Sequence, residues 1–456
     1  MVFRVKRMPL KGRRDGKEGD RIMKGLREIQ MMAWIGCILL VTACSKSPSN
    51  PTVEKPPKEN TMESDQKMEP DQETNSMEET DPIQKMVDQM SVEEKVGQIF
   101  MPAFRKNEQG QALKALTHHI KEQIDQYHPG GIILFKENIQ EVEQVIPFIQ
   151  DLQQQSTIPF FVGIDEEGGR VSRLHGSGKI PATFLPGNFI IGKTQDPTLA
   201  YEVGKLLGKE LSVLGFNMNF APVADLWTNP QNTVIGERSF GPDPDLVGEM
   251  VAAMVQGMQE EQVSSVIKHF PGHGDTTLDS HHGQVIVPYT KEQLEQREWI
   301  PFQKGIQANA DGVMMAHLQL PNIIKEPIPA TFSQVLIEDI LRQQLGHENL
   351  VITDALEMGA ITQNWSTKEA CIKAFKAGAD ILLMPSSLQE GYQGILEAVQ
   401  QGEIPQERLD QSIYRILTVK NKRGILENQK KQQDPKQILG TPEHQEVVNK
   451  IRKKSM

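Results

Sequence analysis

Residues 160–173 read FFVGIDEEGGRVSR. The run opens with five apolar residues in a row, reaches the carboxylate of Asp165, and is then broken by Gly168-Gly169. A strand with one face in water alternates polar and apolar side chains, whereas an unbroken apolar run suits a parallel strand covered on both faces. The same construction recurs along the chain. Residues 96–101, 131–135, 218–225, 264–269, 312–317, 350–354 and 380–384 are short apolar runs rich in β-branched side chains, separated by longer amphipathic stretches of Gln, Glu and Lys. With 160–165 they make eight strand–helix units. Eight units predict an α/β fold, a (β/α)8 TIM-type barrel with some long loops, occupying residues 83–426 as one domain. A doubly wound open sheet is the competing arrangement.

The ends of these runs favour the barrel. Asp165, Asp225, Lys268-His269, His317 and Asp354 all stand at the C-terminal ends of apolar runs. In a barrel such ends meet on one face, where active sites lie. A single Asp after a strand is often no more than a helix cap, but five such ends together predict a site. The densest chemistry follows the fifth run, where residues 268–282 read KHFPGHGDTTLDSHH. His and Asp at these spacings allow a zinc-type metal site. They equally allow an acid/base site in which Asp279 orients His281, because the first and third side chains of an extended Asp-Ser-His share one side. Pro271-Gly272 and Gly274 set the backbone around these side chains and argue against a featureless polar loop. Asp354, in VITDALEM, could be a nucleophile, a metal ligand or a cap. Adjacent acids among Asp165, Glu166 and Glu167 could form a working pair, or the Gly168-Gly169 step could be a tight turn in which Arg170 or Arg173 satisfies the carboxylates. Arg238, in IGERSFGPDP, can hold a polar ligand by forked hydrogen bonds.

Outside the predicted domain the chain changes character. Arg21, Lys24 and Arg27 precede the uncharged run MMAWIGCILLVTA, which ends at Cys44. A basic flank, an apolar stretch of about 7–15 residues and a small-residue stop form an export signal, too short for a spanning helix. The stop Val-Thr-Ala-Cys resembles a bacterial lipobox, which would make residues 1–44 a lipoprotein signal and Cys44 the lipidated residue. From 45 to 82 there is no Ile, Leu, Phe, Tyr or Trp, so this acidic stretch is expected to be a disordered linker. Ser91 with Glu94 is a capping box that opens the domain. Residues 427–456 read as a helical tail. The formal net charge of −11 gives no reason to expect nucleic acid as a partner. Three cysteines are too few for a disulfide framework.

Taken together, MSVEEKVGQ, GGIILF, GIDEEGGRVSRL, FAPVADL, IGERSFGPDP, KHFPGHGDTTLDSHH, VMMAH, PATFS, VITDALEMGAI and AGADILLMP resemble the β-N-acetylhexosaminidases of glycoside hydrolase family 3 in order and spacing. The resemblance implies a retaining exo-acting enzyme that releases non-reducing terminal β-1,4-linked N-acetylglucosamine from peptidoglycan fragments. It makes Asp354 the nucleophile, His281 the general acid/base and Asp279 its partner. Asp165, Arg173, Arg238, Lys268 and His269 would bind the sugar hydroxyls, and Glu166 and Glu167 would be structural or peripheral. It implies no metal and no other cofactor, a monomer, and an enzyme tethered outside the cell membrane through the Cys44 lipid. Longer relatives carry a second α/β domain beyond the segment that matches the tail. A family 3 β-glucosidase would lack the DSH block, a metal-dependent barrel hydrolase would fail in chelators, and a binding lipoprotein would have lost catalytic positions.

Overall fold

A computed structural model of the chain describes residues 81–274, 276, 283–427 and 433–456. Cys44 and the export signal, residues 45–80 of the linker, and Asp279 and His281 lie outside the described residues. The first described helix, Pro82–Gln89, begins one residue ahead of the expected domain boundary and is capped by Asp81, whose carboxylate accepts from the Ile83 N–H at 2.9 Å. The Ser91–Glu94 capping box is present and starts the helix Val92–Gln98.

Ten strands follow in chain order: β1 Phe100–Met101, β2 Gly131–Ile133, β3 Phe161–Ile164, β4 Met218–Asn219, β5 Ser264–Phe270, β6 Val285–Ile286, β7 Gly312–Met315, β8 Leu318–Gln319, β9 Leu350–Thr353 and β10 Leu382–Leu383. Every pairing between these strands is parallel. β2, β3, β4, β5, β7 and β9 form one sheet in that order, and β1 pairs with β10. Backbone hydrogen bonds link the two groups at both edges. The Ile133 N–H donates to the Pro102 carbonyl at 3.1 Å, and the Thr353 N–H donates to that of Ile381 at 3.0 Å. Each of the eight apolar runs thus contains a strand. The first is mixed: the capping box carries the helix through Gln98, so the strand starts only at Phe100. The β6–β8 pair was not expected. An open doubly wound sheet is not what these linkages describe; the fold is a parallel α/β arrangement with helices between the successive strands of the six-stranded sheet.

The core explains the unbroken apolar runs. Val162, Ile164, Met218, Val266, Ile267, Val313 and Ile352 are all fully buried. Helices Pro197–Leu214 and Pro244–Glu260 pack against each other outside β4 and β5 through glycines. A Cβ on Gly204 would stand 2.2 Å from the Met254 carbonyl oxygen, and one on Gly257 2.2 Å from that of Tyr201. The two backbones approach this closely because no side chain intervenes.

Acids just before the strands are sealed by the helix Gln406–Lys422 and the turn after it. Asp311, ahead of β7, takes a fork from Arg423, with Nη2 to Oδ1 at 2.9 Å, and Lys422 Nζ at 3.0 Å. Asp380, ahead of β10, accepts from Arg342, Arg415 and Ser412 at 2.6, 3.1 and 2.6 Å. Burial would raise the Asp380 carboxyl, but the surrounding guanidiniums hold it below its usual value. Beyond residue 433 the helix Pro442–Lys454 lays Val447, Val448 and Ile451 onto the body of the domain. Among the described residues no helix is long and apolar enough to cross a membrane.

Candidate active site

The C-terminal ends of the strands surround a cavity of about 320 Å³, whose lining includes Asp165, Arg173, Arg238, Lys268, His269 and Asp354. All five residues expected to bind the ligand therefore share one cavity with the expected nucleophile. Asp279 and His281 lie outside the described residues, in the stretch between His273 and Gly283.

Lys268, at the end of β5, organises one wall. Its ammonium sits 2.7 Å from Asp165 Oδ1 and 2.7 Å from Glu167 Oε1. Asp165 also accepts from Arg173 Nη2 at 3.2 Å. Glu167 takes both prongs of Arg238, Nε at 2.8 Å and Nη2 at 2.9 Å. The result is a chain of alternating charges, Arg173–Asp165–Lys268–Glu167–Arg238. Burial would raise the Asp165 carboxyl, yet Lys268 and Arg173 outweigh it and hold it low. The same contest, with Arg238 and Lys268 as the cations, holds Glu167 far below the usual carboxylate range.

Of the two roles expected for Glu167, structural or peripheral, the structure gives the first: it is 2% exposed and holds Lys268 and Arg238 in the cavity wall rather than lying at its periphery. Glu166 is indeed structural: its Oε2 accepts from the Arg173 and Leu174 amides at 2.7 and 3.1 Å. The Gly168-Gly169 turn is present, with φ of +87° and +57°. Arg173 satisfies a carboxylate as expected, whereas Arg170 donates to the carbonyls of Thr233 and Val234.

Asp225 and His317 act through neighbours. Asp225 is fully buried, its Oδ2 2.6 Å from His269 Nδ1, while its Oδ1 accepts from the His273 N–H at 2.7 Å. Burial would raise this carboxyl, and the His269 ring and His273 amide hold it down instead. With Nδ1–H committed to a carboxylate, His269 Nε2 is left as the acceptor, and Arg238 Nη2 stands 3.3 Å from it. His317 Nδ1 lies 2.8 Å from Thr331 Oγ1, and Nε2 donates to the Ala355 carbonyl at 3.0 Å. It thus fixes the backbone beside Asp354. Asp354 itself is half-buried at the end of β9, where Oδ1 accepts from the Ala355 N–H at 2.8 Å.

Arg105 and Glu357 also line the cavity without having been anticipated. Arg105 follows β1, stacks 4.3 Å from the Phe135 ring centroid and pairs with Glu137 at 2.5 Å. Its position just past an apolar run was the available signal. Among the described residues no group of three or more His, Cys, Asp or Glu could hold a metal ion; Asp279, His281 and His282 are not among them.

Comparison with known proteins places this architecture. Residues 91–419 match the family model described as the glycosyl hydrolase family 3 N-terminal domain. Beta-hexosaminidase A of Pseudoalteromonas piscicida is 37% identical over 339 residues, which cover 68% of this chain and 56% of that protein. The chain thus spans little more than half of that relative. Beta-hexosaminidase of Hydrogenovibrio crunogenus is 34% identical over 59% of this chain and 75% of its own. A solved glycoside hydrolase family 3 β-N-acetylglucosaminidase from Paenibacillus sp. str. FPU-7 is similar at 38% identity with a TM-score of 0.75, over 80% of this chain and 69% of that one. With the motifs, the parallel fold and the family model agreeing over the same stretch, the chain belongs to glycosyl hydrolase family 3.

Proposed function

We propose that the protein is a retaining exo-β-N-acetylglucosaminidase, acting on terminal N-acetylglucosamine of peptidoglycan fragments. The observation that carries the reading is the meeting of Asp354 with Asp165, Arg173, Arg238, Lys268 and His269 around one cavity of about 320 Å³. Sugar hydroxyls can donate to the two carboxylates and accept from the three cations of the charge chain, whose charges largely offset one another and so suit an uncharged sugar. Names of similar proteins support the sugar: beta-hexosaminidase and β-N-acetylglucosaminidase.

In this reading Asp354 attacks the anomeric carbon while His281 gives its proton to the departing glycosidic oxygen. Asp279 stabilises the imidazolium before transfer. The neutral ring then takes a proton from water, which attacks the glycosyl–Asp354 ester and releases the sugar with retained configuration. A histidine suits the task because its ordinary pKa of about 6.5 already lies near neutrality. The chemistry calls for no metal, so activity should survive chelators. We read the sheet and the β1–β10 pair as arcs of one (β/α)8 barrel, a reading supported by the backbone bonds at both edges. We also propose that Cys44 is lipidated and that 45–80 tethers the enzyme outside the membrane, near wall fragments.

Hydrolysis of para-nitrophenyl β-N-acetylglucosaminide beside the matching β-glucoside tests the assignment. Preferential cleavage of the N-acetylglucosaminide, unchanged in EDTA, is expected. Equal or better cleavage of the glucoside would overturn it.

A further inference from the structure

Glu210 lies on the helix Pro197–Leu214 and plays no part in the mechanism above, yet it is 2% exposed and surrounded by donors. Its Oε2 accepts from the Thr183 N–H at 2.9 Å and its Oε1 from the Thr183 hydroxyl at 2.7 Å. The same Oε1 accepts from the Gly440 N–H at 2.9 Å and lies 2.8 Å from His444 Nδ1. One buried carboxylate therefore joins a loop near residue 183 to the C-terminal segment. Gly440 presses closely there: a Cβ on it would stand 2.3 Å from the Pro181 carbonyl oxygen, and its φ is +61°. Two further pairs, Lys454 with Asp196 at 2.8 Å and Lys450 with Glu202 at 3.3 Å, dock the rest of the terminal helix on the helix that bears Glu210.

What the loop touches gives the contact its meaning. From Thr183 the chain runs directly against the turn that carries the cavity's charge chain. The Leu185 carbonyl accepts from the Gly169 N–H at 3.0 Å. Cβ atoms on Gly168 and Gly169 would meet the Pro186 oxygen at 2.9 Å and the Gly187 Cα at 2.8 Å. Asn188 Nδ2 donates to the Arg238 carbonyl at 2.8 Å. Segment 183–188 is thus packed between Glu210 and the backbone of both Glu167–Arg173 and Arg238.

We infer that Glu210 is a positioning residue, by which docking of residues 440–454 fixes segment 183–188 and so sets the grip of Arg173 and Arg238 on the ligand. The inference rests on the proposed sugar-binding role of those two arginines. Removing a donor from Glu210 would loosen a wall that binds the sugar in ground and transition states alike, and so would act on KM before kcat.

The test compares full-length protein with His444→Ala, His444→Asn and Thr183→Val. Kinetics use para-nitrophenyl β-N-acetylglucosaminide, and amide hydrogen exchange is followed over residues 166–188. For His444→Ala and Thr183→Val, KM is expected to rise about five-fold with kcat within about two-fold. Exchange should quicken in 166–188 while strand amides keep their protection. His444→Asn keeps a side-chain amide that can still donate to Glu210, and should restore most of the affinity. Unchanged KM and unchanged exchange in both deletion variants would overturn the inference, as would a loss of protection spread evenly over the sheet. Should His444→Ala not fold, Thr183→Val decides alone. A wild-type protein inactive on this substrate would refute the proposed function instead, and the exchange of 166–188 would then decide the clamp by itself.

Discussion

Asp165 and Glu167 stand two positions apart just past β3, and both reach the Lys268 ammonium at 2.7 Å. Glu166, between them, turns the other way to the Arg173 and Leu174 amides. In extended chain, alternate side chains share a face, so the pattern acid-x-acid was the sign that Glu167 belongs with Asp165. Adjacency hid it, because three acids in a row also read as a turn. Glu167→Ala should remove the forked partner of Arg238 and leave Lys268 with Asp165 alone. Breaking a buried pair from one side costs about 3–5 kcal/mol, measurable by urea denaturation, and kcat/KM should fall with it. Asp354→Asn should keep the fold and lose turnover by at least about 1,000-fold, as expected when a nucleophile is removed. His281→Ala should spare the nitrophenyl substrate relative to a natural disaccharide, because a good leaving group needs little protonation. If both substrates slowed equally in steady-state assays, His281 would not be the acid. Asp354, Lys268 and His269 were legible because each ends an apolar run. The supports, Asp225 and His317, stood in the same kind of position, and only distances separate a residue facing the cavity from one holding its neighbour.

The two ends of the strands divide the labour between elements. At the C-terminal ends charges face the cavity; ahead of β7 and β10 they are locked by the helix Gln406–Lys422 and the turn after it, with Arg342 as a further partner of Asp380. Arg423→Ala should therefore cost up to about 3–5 kcal/mol by taking the forked partner from buried Asp311 and leaving it Lys422 alone, with kcat unchanged at permissive temperature. Kinetics and denaturation on one preparation check both halves. Lys420 on the same helix is fully buried, its Nζ 2.9 Å from Gln98 Oε1 and 5.3 Å from the Phe161 ring centroid. Burial pushes its ammonium down to about 7 from the ordinary 10.5. Between those values the unfolded chain holds the proton and the folded chain does not, so stability rises with pH across the window, by at most about 1.4 kcal/mol per unit. Below pH 7 both states are protonated and this contribution stays constant at its least favourable. Lys420→Met should abolish the rise, and denaturation curves at pH 7.5, 8.5 and 9.5 read the difference in slope. Such elements were legible to different degrees. Unbroken apolar runs exposed all eight principal strands, but a run cannot by itself distinguish strand from buried helix, which is why 96–98 joined a helix. β6 and β8 are two residues each, like β1, β4 and β10, but lie outside the eight apolar runs that marked those strands.

At the scale of the whole molecule, the cavity lining spans Arg105 to Met384 and the family match spans 91–419. Every described contact of the site therefore falls within the part of the chain whose fold follows from parallel strands and their ends. The chemistry expected of residues 1–80 is of another kind: a basic flank, a short apolar run, Cys44 and a polar linker, none of which needs a packed core. Among the described residues no helix is long and apolar enough to cross a bilayer, and the attachment proposed here lies in the N-terminal segment. Burying lipid chains contributes about 0.8 kcal/mol per methylene, and two or more chains are needed for a stable anchor. Cys44→Ser should remove that anchor without touching the cavity. In the native host the variant should leave the detergent-extractable membrane fraction, and its kcat and KM on the nitrophenyl substrate should match those of the detergent-solubilised wild type. A chain beginning at Asp81 should behave as the soluble variant does. Persistence of Cys44→Ser in the membrane fraction would reject lipidation as the anchor while leaving the glycosidase reading intact. Loss of activity in the chain beginning at Asp81 would show instead that the first eighty residues contribute to the site.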